Sequence, residues 1–176
     1  MGREVAECCV DGMVAELVSA FSTRFYVTNP EIAAGRIYAI GFQVGQKLSE
    51  RYTIEHSQFT DHIEAIKFIC QEFWFVLFKK QIDSLRTNLR GTFVLQDNNF
   101  QWLTFMPSNP TLEDMDASQH ESSPTPDSKI AQTACLHLCF PCGIIQGALS
   151  NLGIRCAVSA DISNLPACSF VLHIEA

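Results

Sequence analysis

Lys67–Leu103 reads KFICQEFWFVLFKKQIDSLRTNLRGTFVLQDNNFQWL, and this run decides the fold. Its first half is helical. With Phe59 and Ile63 just upstream, Ile66, Cys70, Phe73 and Leu77 recur at three- and four-residue spacing, the apolar stripe of a helix. Ile69, Trp74, Phe75, Val76 and Phe78 cover much of the remaining circumference. A helix apolar nearly all round is buried on both sides, against a core on one and a second layer or a partner on the other. The second half changes period. Gly91 to Phe105 alternates about Asp97-Asn98-Asn99, whose side chains suit a turn, and this predicts a hairpin.

Upstream of that run the chain reads as helical. A first helix is predicted over Val5 to Ser22, with Val10, Met13, Val14, Leu17, Val18, Ala20 and Phe21 as its apolar side. A second opens at Asn29-Pro30-Glu31, an Asn cap, a Pro at the first helical position and an acid against the helix dipole. Ile37, Ile40, Val44, Leu48 and Tyr52 form its stripe, and Gly41 and Gly45, one turn apart, let another backbone come close. The third starts at Asp61, with Glu64 completing a capping box.

Downstream, Ala134 to Phe140 alternates like a short strand, and Pro141 opens a helix that closes at Gly153. Arg155–Ala160 and Cys168–Ile174 form a closing antiparallel pair, with Phe170, Leu172 and Ile174 on one face. Helices first, then strands, give an α+β domain with its helices packed on one side of a small antiparallel sheet. One domain, residues 1–176, fits the length. Residues 107–129 break the pattern with four prolines and five acids against one Lys, and carry −4 of the formal charge of −7. So polar a segment reads as a flexible surface loop. Ser122, Ser123 and Thr125 beside Pro124 and Pro126 are its candidate phosphate acceptors.

Composition excludes several function classes. With 47% hydrophobic and 18% charged residues the chain is globular, and its acidic balance argues against a nucleic-acid binder or a polybasic membrane-surface module. The first residues lack a basic region followed by an apolar run, which predicts no secretory signal. No uninterrupted apolar segment approaches the roughly 20 residues of a membrane span. A cytosolic location follows, with the eight cysteines reduced.

The cysteines offer the sharpest catalytic pattern. Cys135, Cys139 and Cys142 have C-x3-C-x2-C spacing, which can hold three irons of a cluster and leave the fourth open. Only 34 residues follow Cys142, too few for the barrel such motifs ordinarily open, and on an apolar strand Cys is a small hydrophobe. His137 would alternate to the opposite strand face, away from a zinc site with Cys135. Cys156 and Cys168 read as core thiols facing across the last hairpin. His56, His62, His120, His137 and His173 sit in no triad context, and neither a G-x-S-x-G nor a phosphate-binding glycine loop is present. No catalytic, metal-binding or cofactor-binding residue is therefore assigned. Arg86, Trp74 and Trp102 read as structural.

Four blocks remain: Gly41–Arg51 (GFQVGQKLSER), Lys79–Asn88 (KKQIDSLRTN), Gly91–Asn98 (GTFVLQDN), and Cys142–Leu149 (CGIIQGAL) with Leu152–Ile154 (LGI). In this order they resemble the subunit 6 branch of the transport protein particle (TRAPP) small-subunit family. The likeness runs from about Val10 to Ile174 and leaves out the polar insertion. It implies the family's α/β plait and a non-catalytic structural or regulatory role. Subunits of this branch heterodimerise with a paralogous small subunit through their helical faces and join a vesicle-tethering core. That core exchanges nucleotide on a Rab-family GTPase in ER-to-Golgi and Golgi transport, so the chain is expected in the cytoplasm and reaches cis-Golgi and ER membranes through the complex. On this resemblance the partner face comprises Val14, Leu17, Val18, Ile40, Gly41, Val44, Gly45 and Leu48. The alternative is a small-molecule or acyl-binding module, with the greasy third helix lining a cavity. A paralogue carries an acyl chain on a Cys just before that helix, but here Thr53–Thr60 contains no Cys.

Overall fold

The computed structural model describes residues 2–25, 29–54, 59, 61–88, 90–104 and 126–175. Helices α1 (Gly2–Phe25) and α2 (Pro30–Tyr52) are followed by α3 (His62–Phe68), which runs through a π-helical turn (Ile69–Phe73) into α4 (Trp74–Phe78). Strands β1 (Ser84–Thr87) and β2 (Thr92–Asp97), the short α5 (Gln101–Thr104), the long α6 (Pro126–Asn151), and strands β3 (Cys156–Asn164) and β4 (Ala167–Ile174) complete the chain. The strands form one antiparallel sheet in the order β1-β2-β4-β3. Helices and a four-stranded antiparallel sheet make this an α+β fold.

Local chemistry sets the boundaries. Asn29 accepts from the Glu31 amide at 3.2 Å ahead of Pro30, and Asp61 accepts from the Ile63 amide at 3.4 Å, so both predicted caps are in place. Lys79 ends α4 in the left-handed conformation (φ 56°). Gly153 (φ 80°) ends α6, with the Ile154 amide donating to the Leu149 carbonyl at 2.9 Å, a helix-closing bond that needs this backbone turn. The π turn widens the buried helix at Cys70, and the Cys70 carbonyl accepts from the Ile82 amide at 2.9 Å, tying the following loop back to the helix.

Alternation divides the sheet into two faces. Phe93 and Leu95 of β2, Phe170 and Leu172 of β4 and Val158 of β3 are buried, while Thr92, Val94, Gln96, Ser169 and Val171 between them are half-buried. The core continues into an aromatic cluster. Trp74 lies 4.5 Å from Phe78 and 5.3 Å from Phe170, measured between ring centroids, and Phe100 and Trp102 close around Phe78 at 5.1 and 4.9 Å. Asp97, with no exposed surface, sits among these rings. It accepts from the Trp74 indole at 3.0 Å and the Asn99 amide at 3.0 Å, and pairs with Lys80.

The structure corrects three expectations. Ala134–Phe140 is helix, not strand: α6 starts at Pro126 and carries Pro141 in its interior. Flanked by α2 and the sheet, that helix is buried on nearly every side, which erases the 3.6-residue stripe and leaves a misleading alternation. The β-hairpin joins β1 to β2, and the Asn88 side chain accepts from the Arg90 and Thr92 amides at 2.9 and 3.1 Å. After Asp97-Asn98-Asn99 the chain enters α5 rather than returning as a strand, and Phe105 lies outside the described residues. Cys156 and Cys168 do not face one another, because the register sets Cys156 opposite Ile174 and Cys168 opposite Ile162. Of the expected loop, 107–125 lies outside the described residues, with its candidate phosphate acceptors, and 126–129 open α6.

Candidate partner-docking surface

The predicted partner-face residues fall into two sets. Val14 and Val18 are buried, as are Gly41 and Gly45, while Leu17, Ile40, Val44 and Leu48 are half-buried against the core. The close backbone that Gly41 and Gly45 admit is that of α6 in the same chain. A Cβ on Gly41 would stand 2.2 Å from the Phe140 carbonyl oxygen, and one on Gly45 would stand 2.1 Å from that of Ile144. Gly143 and Gly147 of α6 answer them, with Cβ positions 2.2 Å from the Tyr38 oxygen and 2.0 Å from the Phe42 oxygen. Two G-x-x-x-G steps thus interlock, and the helices touch backbone to backbone. The second step was visible in the sequence, but only as part of a family block.

Beyond that seam, α1 presents apolar side chains to solvent. Val10 is 54% and Met13 72% exposed, and Ile32 at the start of α2 is 47% exposed, a position the periodicity of α2 did not single out. On α1, Val10, Met13 and Leu17 follow one another at three- and four-residue spacing as an outward row distinct from the inward pair Val14 and Val18, and Ile32 stands apart from it on α2. Asp11 on α1 accepts from Gln101 Nε2 at 2.7 Å and from the Trp102 indole at 2.9 Å, which fixes how α1 sits on the domain and so the orientation of the row.

The three spaced cysteines lie on one face of α6, a turn apart rather than on a strand. Cys135 is exposed, Cys139 half-buried and Cys142 buried. With Tyr38, Leu138 and Val158–Ala160 they line a cleft of about 200 Å³. Burial pushes the Cys139 thiol up to about 11 and raises Cys142 further, so both hold their protons at neutral pH. Burial also lowers the pKa of His137, favouring the neutral ring. Among the described residues no three His, Cys, Asp or Glu side chains converge as a metal ion requires. Arg86 is exposed on β1, and Trp74 and Trp102 are buried. By length and composition Gln132–Asn151 is apolar enough to cross a membrane, but 67% of that apolar window is buried inside the protein, where it packs on α2 and β3.

Comparison with known proteins places this arrangement. The sequence pattern described as "Transport protein particle (TRAPP) component" matches residues 10–175. Trafficking protein particle complex subunit 6B from Homo sapiens is 43% identical over 136 residues, 77% of this chain and 75% of that protein. Subunit 6A from Mus musculus is 38% identical over 77% of this chain and 74% of its own length. A crystal structure of trafficking protein particle complex subunit 3 from Naegleria fowleri, covalently bound to palmitic acid, superposes with a TM-score of 0.72. It covers 98% of this chain and 97% of its own at 11% identity, a likeness of fold. The chain belongs to the transport protein particle component family, and the members it resembles are subunits 6A and 6B of that trafficking complex.

Proposed function

We propose that the chain is a non-catalytic structural and regulatory subunit that pairs with a paralogous small subunit through α1 and α2. The observation that carries this reading is the exposure of large apolar side chains on both helices, Val10 and Met13 on α1 and Ile32 on α2. Large apolar side chains left in solvent on the two helices concerned are what an association face presents. Leu17, Ile40, Val44 and Leu48 extend the face, while Gly41 and Gly45 act indirectly by seating α2 on α6. Within the trafficking particle the pair joins the core that exchanges nucleotide on a Rab-family GTPase and tethers vesicles between endoplasmic reticulum and Golgi. The chain works in the cytoplasm and meets those membranes through the complex.

Light scattering of the chain mixed with its paralogous subunit tests this. A one-to-one heterodimer is expected, and Met13→Asp abolishes it while shifting the melting free energy by less than about 0.5 kcal/mol, as at an exposed site. A heterodimer that survives Met13→Asp together with Val10→Asp moves the interface elsewhere.

The acyl-binding reading draws on the palmitic acid held by the solved relative. In this chain Cys70 lies in the π turn, 5% exposed, with its thiol pushed up by burial to about 12, which makes it a weak nucleophile. A hydroxylamine-sensitive mass increase on the purified protein would carry that reading, and an unmodified mass dismisses it.

A further inference from the structure

The free edge of β3 is closed along only part of its length. Ile174 donates its amide to Gly91 on the β2 side, so its register partner Cys156 turns its backbone outward, and by alternation so do Val158, Ala160 and Ile162. The helix layer serves the first two. Gln146 Nε2 donates to the Cys156 carbonyl at 2.7 Å, and Tyr38 lies beside Val158 in the cleft they both line. Past Tyr38 the cover ends. Among the described residues nothing meets the outward amide and carbonyl of Ala160, and a bulge between Ile162 and Asn164 closes the ladder beyond it.

The thiol-lined cleft opens beside Val158–Ala160, on the helix side of this gap. Its volume of about 200 Å³ falls below the range of about 300–1,000 Å³ usual for small-molecule sites, but it holds one aliphatic side chain. A strand added to a sheet edge sends alternate side chains to opposite faces, so one residue over the cleft puts its neighbours on the other face. There stands Asp161, exposed and the only charged residue of β3. Open backbone groups, a one-residue apolar cleft on one face and a carboxylate on the other together describe an extended chain.

The geometry points to β-strand addition at Ala160–Ile162 by an extended segment of a partner protein, in which compact apolar residues, one seated beside Cys139, alternate with basic residues set beside Asp161. This surface lies on the sheet edge and stands independently of the α1–α2 pairing above.

The test uses the full-length chain and the acetylated, amidated peptide Lys-Val-Lys-Val-Lys-Val, followed by backbone amide shifts and fluorescence anisotropy. Saturable binding is expected, with the largest shifts at 158–162. Ala160→Pro removes the outward N–H without touching a bond to β4, so melting stays as in wild type while affinity falls by about five-fold or more, the loss of a main-chain hydrogen bond. Asp161→Lys weakens the same peptide and creates binding of Glu-Val-Glu-Val-Glu-Val. A structural role for Asp161 would not produce that exchange of charge preference. No saturable shift at about 1 mM peptide, or equal binding of a peptide with Ser for every Val, overturns the proposal. Shifts at 158–162 that grow with protein concentration in the absence of peptide assign the edge to a second copy of the chain and overturn it too.

Discussion

Replacing Gly147 with Ala should separate α2 from α6. The added Cβ would lie 2.0 Å from the Phe42 carbonyl oxygen and 2.8 Å from its carbonyl carbon, where real Cβ contacts begin near 3.0 Å. Both obstacles are backbone, so no rotamer change relieves them, and the helices must part by about 1 Å. Overpacking of this kind costs about 1–3 kcal/mol and more where backbone must move. Partial loss of contact at the neighbouring Gly41, Gly45 and Gly143 adds to it, while the helix propensity of Ala returns up to about 1 kcal/mol. A net loss of about 2–4 kcal/mol lowers the melting temperature by about 5–15 °C for a domain of this size. Urea unfolding followed by circular dichroism reads the same change as a lower midpoint with an unchanged slope. Gly35→Ala is the matched control. It is also an α2 glycine, but its Cβ meets nothing within 4 Å, so it should stabilise by about 0.5–1 kcal/mol. If Gly147→Ala melts within about 1 °C of wild type, the backbone-contact reasoning is refuted.

Further outcomes follow from the buried polar and thiol groups. Asp97→Ala strands the Trp74 indole and the Asn99 amide and leaves Lys80 without its buried partner, so urea unfolding should show a loss of about 3–5 kcal/mol. A loss under about 1 kcal/mol contradicts the assigned network. Burial raises Cys70 and Cys168 from 9.0 to about 12. Between those values the folded state keeps protons that the unfolded state releases, so their contribution to stability is intact below pH 9 and falls as pH rises toward 12. Melting temperature should decline across that window, less steeply in Cys70→Ala, and identical slopes would remove Cys70 from the account. Under native conditions near neutral pH, maleimide should modify Cys135 and spare Cys70, Cys142 and Cys168, as read by peptide mass mapping.

Sequence reasoning succeeded where a side chain acts on its own neighbourhood. Asn29 and Asp61 cap their helices through bonds two residues away, and the β3–β4 pair follows from strict alternation, so both are local statements. It failed where tertiary contact overrides the local signal. The alternation of Cys135 to Phe140 in α6 imitates a strand because α2 and the sheet cover nearly every side of that helix. Asp97-Asn98-Asn99 does make its turn, with Asp97 accepting from the Asn99 amide, but the carboxylate is then drawn into the core by Trp74 and Lys80 and the chain leaves as α5. Within the candidate face, Gly41 and Gly45 were legible as a close approach, yet what approached them was not, since Gly143 lies about a hundred residues away in sequence. Ile32 carries no periodic signature and is visible only as exposed surface.

The strand order has a consequence for synthesis. Of the four strands of this sheet β4 leaves the ribosome last, yet it stands inside the sheet, joining β2 on one side to β3 on the other. Until it emerges, the β1–β2 hairpin has no second neighbour and β3 has no strand to pair with, beside an α6 whose apolar stretch is long enough to be mistaken for a membrane span. Without β4, the β1–β2 pair and β3 are not joined into one sheet. A premature stop anywhere before Ala167 removes the strand that couples the two halves, so shortened products would go to quality control instead of joining an assembly half-made.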